Sequence, residues 1–291
     1  MLTRVGSNDN LPGPDTMPTD PIEITVTVVQ NDPVFGDPEK NKAEVAQLIL
    51  GQADPRASLI VLPELFATGY QFDSRTEVWD LSEPERGPTF SFLSDLSIKT
   101  GAVLVAGLPI RRNKGVSNGA LVVYGTTLLA SYDKIHLFDE ERDFFQEGTG
   151  PLPVISTPFG PLGVMICFDW LFPEVLRSMA LSGALVVAHP SNWVLPFGPQ
   201  GMILRSVENR VFTATANRVG REERGGRAPL TFIGQSQVLS PKGVLLGRAS
   251  ENLPEVIRAS IRLEEARSKK VASKSDLFEQ RRPELYRLGS D

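Results

Sequence analysis

The chain has 291 residues, 41% of them hydrophobic and 22% charged, with 30 basic and 35 acidic side chains for a net charge of −5. That composition is typical of a globular protein able to bury a substantial core without disulfides, and its single cysteine cannot form an internal one. Dispersed basic residues give no footing for nucleic acid, no apolar run approaches the ~18–20 residues of a membrane-spanning helix, and the cytoplasm is the expected compartment.

Residues 1–21 are rich in Pro, Asp, Asn and Gly and lack the apolar stretch of a secretory signal, so they read as a flexible tail. From residue 22 strands and helices alternate. Ile22–Gln30 reads as a strand, roughly Pro38–Gln52 as a helix and Leu59–Leu62 as a buried strand. A helix near Thr89–Thr100 leads into a strand at Ala102–Gly107, and Leu121–Tyr124 with Thr127–Tyr132 reads as a hairpin around Gly125. Val154–Thr157 and Leu162–Ile166 flank a turn at Phe159–Gly160. A helix near Pro173–Ser182, a strand at Ala184–Ala188 and a helix around Met202–Val211 follow. Thr213–Asn217, Ile233–Leu239 and Val244–Gly247 complete the strands. No composition break divides 22–262, so this is one layered α/β domain with helices over its sheets. Residues 263–291 read as a charged, helix-prone extension whose Leu277, Phe278, Leu285 and Tyr286 suit docking on a partner subunit.

The chemistry centres on Cys167, placed between a buried strand and the helix opened by Pro173-Glu174. A lone cysteine is more often a small buried hydrophobe, but an elbow of this kind leaves a side chain beside free backbone N–H groups. Histidine triads find little support. The chain has two histidines, His136 and His189, and neither has an obvious orienting group nearby in sequence, so both read as structural. One cysteine and two distant histidines offer no metal-ligand spacing, and no P-loop or GxGxxG follows a strand. A thiol can instead be activated by a carboxylate and held beside an ammonium. Glu64 and Lys134 each follow an apolar strand, as Cys167 does, where α/β sheets place their sites. Taken singly, each is as readily a surface charge. Of Glu140 and Glu141, beside Phe144-Phe145, one could be drawn inward. Arg221–Arg227 reads as a mixed-charge loop.

Three segments, LPELFATGY, YDKIHLFDEERDFFQEG and GVMICFDWLFPE, resemble in order and spacing the signature segments of the nitrilase superfamily of carbon–nitrogen hydrolases, and the likeness extends over about residues 22–285. The resemblance implies a four-layer αββα sandwich and a homodimer or larger even-numbered oligomer. It also implies a cofactor-free, metal-free Glu–Lys–Cys set: Glu64 as general base, Lys134 as the lysine, Cys167 as nucleophile and Glu141 as the additional glutamate. The Phe168 backbone N–H would join Lys134 in holding an oxyanion. Phe168-Asp169 stands where strict nitrilases commonly have Trp-Glu, and Trp170-Leu171 where carbamoyl hydrolases often carry arginines. Tyr70, Trp193 and Phe197 are candidate pocket walls, with core or interface packing an equal account of each. The resulting expectation is hydrolysis of a small aliphatic amide, with nitrile or N-carbamoyl hydrolysis as alternatives and an inactive assembly protein as the contrasting class.

Overall fold

Period-two alternation decides where the first three strands send their side chains. In the computed structural model, which describes residues 22–286, β1 (Glu23–Gln30), β2 (Leu59–Val61) and β3 (Val103–Arg112) lie parallel and adjacent. Val26, Val28, Leu59, Val61, Val103 and Val105 enter the core between two sheets. Ile60, Leu62, Leu104 and Ala106 face the other way, against helices. Those helices are α1 (Pro38–Leu50) and, after the short α2 (Arg75–Leu81), α3 (Pro88–Thr100). Both α1 and α3 begin with proline at the first helical position, where its missing N–H costs nothing, and α3 stops at Gly101, whose φ of 73° favours glycine. The antiparallel pair β4 (Gly115–Tyr124) and β5 (Thr127–Asp133) extends the sheet beyond β3.

The second half repeats this plan. After α4 (Glu141–Phe144) and β6 (Val154–Thr157), the strands β7 (Gly160–Val164), β8 (Val186–Pro190) and β9 (Phe212–Ala216) again form a parallel trio. Helices α5 (Pro173–Leu181) and α6 (Gly198–Asn209) lie between them in sequence and cover the sheet's outer face with Val175, Leu176, Met179 and Met202. A side chain at Gly163 would press within 3.0 Å of Met179 and 3.1 Å of Val187, so glycine permits this close helix–sheet approach. Beyond the two-residue ribbon of β10 (Arg221–Glu222) and β11 (Leu230–Thr231), β12 (Gln237–Leu239) and β13 (Leu245–Arg248) pair antiparallel outside β9. The last long strand, β14 (Glu255–Arg262), returns to the first sheet and pairs antiparallel with β1 from Glu23↔Arg262 to Gln30↔Glu255. The orders are β14-β1-β2-β3-β4-β5 and β13-β12-β9-β8-β7-β6, which stack as the expected helix–sheet–sheet–helix sandwich.

The largest departures from the sequence expectation are three. β14 was not foreseen because charged Glu255, Arg258 and Arg262 interrupt its apolar residues, a pattern suited to an edge strand with one wet face. α2 was likewise missed, although Ser74 accepts a bond from the Glu77 N–H at 3.1 Å, a helix-starting signature present in the sequence. The segment after Arg262 is not an extended helix. It forms the four-residue α7 (Glu264–Arg267) and a hairpin of β15 (Lys270–Ala272) and β16 (Ser275–Asp276). Leu263 and Ala266 are fully buried in the main core, and Lys269 donates to the carbonyls of Asn209 and Arg210 where α6 ends. Residues 1–21, expected to be a tail, lie outside the described residues. Among the described residues no helix is long and apolar enough to cross a membrane.

Candidate active site

Glu64 stands three residues past β2, and the chain that carries it is locked onto β3. Leu62 N–H donates to Val105 O at 2.8 Å, Gly107 N–H to Pro63 O at 3.1 Å and Phe66 N–H to Gly107 O at 3.2 Å. A Cβ on Gly107 would lie 2.5 Å from the Glu64 Cα, so only glycine allows the approach. Lys134 ends β5. Its N–H donates to Asn118 O and its carbonyl accepts from Gly148 N–H. From these two strand ends the side chains meet inside the protein. Lys134 Nζ donates to Glu64 Oε1 at 2.7 Å and to both Glu141 oxygens at 2.8 Å, and Asn118 Nδ2 donates to Glu64 Oε1 at 2.7 Å. Tyr70 Oη and Phe138 N–H complete Glu141 at 2.7 and 3.2 Å. Glu64 and Lys134 are fully buried and Glu141 nearly so.

Such burial must perturb proton affinities. Desolvation pushes Glu64 up to about 7 against the opposing pull of Lys134. The same desolvation would discharge Lys134, but the carboxylates of Glu141 and Glu64 outweigh it and hold the amine above its ordinary range. The Cys167 thiol feels both carboxylates and the ammonium. Burial, then Glu64, raise it well above a free thiol, so it rests protonated beside a carboxylate poised near neutrality.

On the other sheet Cys167 begins a single 3-10 turn, Cys167–Leu171, with φ of 40°, a left-handed conformation uncommon for a side chain with a Cβ. Buried Asp169 holds that turn. It accepts from Ile166 N–H at 2.9 Å, Tyr132 Oη at 2.8 Å and His136 Nδ1 at 2.9 Å. Tyr132 and His136 flank Lys134 by two residues on either side, so one carboxylate fastens the cysteine turn to the lysine strand. His189 lies 3.0 Å from the Cys167 carbonyl through Nε2 and 3.1 Å from Thr215 Oγ1 through Nδ1. Burial lowers it to about 4, so the ring is neutral. Because a carbonyl only accepts, Nε2 carries the proton and Nδ1 accepts from Thr215. Both histidines are structural, as expected, and the orienting groups absent from their sequence neighbourhoods come from Asp169 and Thr215. The backbone N–H of Asn192 is directed at the thiol.

The remaining candidates separate. Tyr70 reaches the site through its hydroxyl, and Trp193 is buried with its ring 5.5 Å from His189. Phe168 packs on Phe138 and Phe172. Phe197 sits farther out. It is 49% exposed at the start of α6, its ring edge-on to Trp170 at 6.2 Å. The Arg221–Arg227 loop is more than a wet charged turn. Buried Glu222, paired with Arg218, accepts the N–H groups of Tyr70 and Gln71 at 3.0 and 2.6 Å. Arg224 holds Glu77 at 2.7 Å, and Arg227 holds Asp73 at 3.1 Å and also Glu140. A cavity of about 130 Å³ opens between Tyr70, Phe138, Glu141, Phe144, Arg227 and Leu230. The larger hollow, against α1, contains none of these residues. Among the described residues no three His, Cys, Asp or Glu side chains are grouped to hold a metal ion.

Comparison with known proteins places this geometry. Residues 25–271 match the carbon-nitrogen hydrolase family. The chain belongs to that family. This carbon–nitrogen hydrolase is 44% identical over 265 residues to a protein named nitrilase from Pyrococcus abyssi, covering 90% of this chain and 99% of the relative. Among solved structures it resembles a carbon-nitrogen hydrolase from Helicobacter pylori, with 28% identity, a TM-score of 0.82, and coverage of 91% of this chain and 97% of that one. It also resembles an amidase of the nitrilase superfamily from Nesterenkonia, with 27% identity, a TM-score of 0.74, and coverage of 90% and 95%. Asn118, Asp169 and Asn192 were the site residues that sequence reasoning missed. A polar Asn118 inside the apolar run of β4 was the one signal available for the first of them.

Proposed function

We propose that this carbon–nitrogen hydrolase acts through a Cys167 thioester on small aliphatic nitriles, with the corresponding primary amides as the second reading. The observation that carries the mechanism is the buried Glu64–Lys134–Glu141 cluster, whose Glu64 Oε2 has no partner among the described residues while Oε1 is doubly bonded. A carboxylate with one free oxygen beside a protonated thiol is a general base awaiting its proton. Sulfur attacks the nitrile carbon while Glu64 relays the thiol proton to the nitrogen, giving a thioimidate. Water adds to its C=N bond, ammonia leaves, and a second water releases the acid from the thioester. An amide joins at the tetrahedral stage. Lys134 and the Phe168 N–H, in the first turn of the 3-10 helix where N–H groups lack helical partners, stabilise the developing anion. Glu141 and Tyr70 hold Lys134 in place.

Sequence alone favoured amides; the 44% identity to a protein named nitrilase moves nitriles ahead. The amide reading is supported by the Nesterenkonia amidase, whose Glu-to-Gln variant carries the acetamide moiety of fluoroacetamide on its active-site cysteine. Ammonia release from matched nitriles, amides and N-carbamoyl compounds tests the order, and an acyl adduct on Cys167 in the intact mass tests the intermediate. No turnover of any of the three classes would reject the proposal.

The working compartment is proposed to be the cytoplasm, and the partner a second copy of this chain. Leu171 in the cysteine turn, and Phe197 and Leu204 at the start of and along α6, are exposed apolar side chains that a second copy would cover. Light scattering over a dilution series should report a dimer or larger even-numbered assembly; a monomer throughout would reject it.

A further inference from the structure

Buried polar groups in folded proteins are almost always paired, so a cluster of unpaired ones marks a place where something else binds. Among the described residues such atoms include Glu64 Oε2 and, in the turn after β8 whose His189 reaches the Cys167 carbonyl at 3.0 Å, Ser191 Oγ, Trp193 Nε1 and both Nδ2 and Oδ1 of Asn192. Asn192 is the extreme case, 4% exposed with neither end of its amide bonded. The other buried asparagines each spend at least one end: Asn31, Asn118 and Asn209 donate through Nδ2 and leave only Oδ1 unpaired, and two spend both ends. Asn41 accepts from Val34 N–H and donates to the carbonyls of Val34 and Ala67, and Asn217 accepts from Trp193 N–H and donates to Gly234 O. The backbone around Asn192 is fixed on both sides. Ser191 N–H donates to Ala216 O at 2.8 Å, Trp193 N–H to Asn217 Oδ1 at 2.7 Å, and the N–H of Asn192 itself faces the thiol. A rigid turn therefore carries one free carboxamide beside the nucleophile.

We infer that Asn192 contacts the substrate and reads a carboxamide at the reacting carbon, its Nδ2 donating to the substrate oxygen and its Oδ1 accepting from the substrate N–H. This deepens the proposed function, on which its catalytic meaning rests. A carboxamide satisfies both ends of Asn192. A nitrile satisfies only the donor until the thiol has added, when the thioimidate nitrogen carries the relayed proton and Oδ1 can accept from it. Asn192 therefore engages an amide through both ends from the start and a nitrile through both ends only from the thioimidate onward, where its buried atoms are no longer left unpaired.

Cys167 is the only cysteine, so its alkylation is read directly as intact mass. Wild-type, Asn192→Leu and the smaller Asn192→Ala are each treated with iodoacetamide, which carries a carboxamide, and with methyl methanethiolsulfonate, which carries no nitrogen. The iodoacetamide rate constant falls about tenfold in both variants, the equivalent of one to two lost hydrogen bonds, while methanethiolsulfonate labelling is unchanged. Unchanged iodoacetamide labelling overturns the inference, as does equal slowing by both reagents, which would mark a structural role. Labelling needs no turnover. A protein that discriminates the reagents through Asn192 but hydrolyses nothing would sink the hydrolase reading and leave this one standing.

Discussion

In the first sheet most polar groups at the strand ends are spent on one another, with Glu64 Oε2 and Asn118 Oδ1 left over. Lys134 donates to Glu64 and Glu141, Asn118 to Glu64 and Tyr70 to Glu141. In the second sheet the same strand plan delivers a thiol on a strained residue and, at the end of β8, polar atoms that bond nothing. Two halves of like topology have thus taken opposite electrostatic states. Buried charges must be paired to be tolerated, which fixes the first half as a closed cluster able to move a proton. Neutral amides and an indole N–H are cheaper to leave open, which suits the second half to receive a substrate.

Removing the nucleophile tests the second half most severely. Cys167→Ala should lower ammonia release by about 10⁴-fold or more, as loss of a covalent nucleophile does elsewhere. Near-wild-type activity in that variant would dissolve the division between the halves.

Within the first half the partners should separate by their effect on folding. Glu64→Gln and Lys134→Ala should each cost at least about 10²-fold in turnover. Glu64→Gln keeps a side chain that Lys134 and Asn118 can still bond, so its melting temperature should change little. Lys134→Ala strands Glu64 and Glu141 together without their cation, and breaking such a buried pair costs about 3–5 kcal/mol of stability. Equal melting temperatures for the two variants would mean that the cluster is not the closed charge system described above.

Acidity offers a finer contrast. Glu64 must be a carboxylate to take the thiol proton and is pushed up to about 7, so kcat/KM should rise with pH through about 7, falling about tenfold for each unit below it. A profile flat across that range would remove Glu64 as the base. Stability should respond with opposite signs in the two halves. Glu64 binds its proton more tightly in the folded state, so its contribution is present at low pH and lost as pH rises through about 7. His189 is lowered to about 4, so its contribution is present above the ordinary histidine range and lost as pH falls through about 4. Chemical denaturation of wild type and His189→Gln across pH should show a larger acid-side loss in wild type, since lowered carboxylates such as Glu77 and Glu85 contribute theirs to both.

The smallest effect belongs to the link between the cluster and the pocket. Tyr70→Phe removes one charge-assisted bond to Glu141, worth about 1.5–3 kcal/mol, and should lower kcat by roughly tenfold or somewhat more while the ring keeps its place against Phe232. An unchanged kcat would show that Lys134 is held without it.

How much of this was legible in advance follows from the range of each interaction. Strand and helix periods are local, so most of the elements, the strand-end positions of Glu64, Lys134 and Cys167, and the layered α/β class could all be read along the chain. Residues whose meaning comes from distant partners could not. Asp169 looks like an ordinary acid after the cysteine until Tyr132 and His136, more than 30 residues earlier, close on it. β14 gains its place only by pairing with β1 from the far end of the chain. Asn192 is a turn residue in the sequence, and only the assembled interior shows that its amide is both buried and unpaired. Periodicity is written in neighbouring residues, whereas the satisfaction of buried donors, acceptors and charges is decided where separate segments meet, and that meeting exists only in the folded chain.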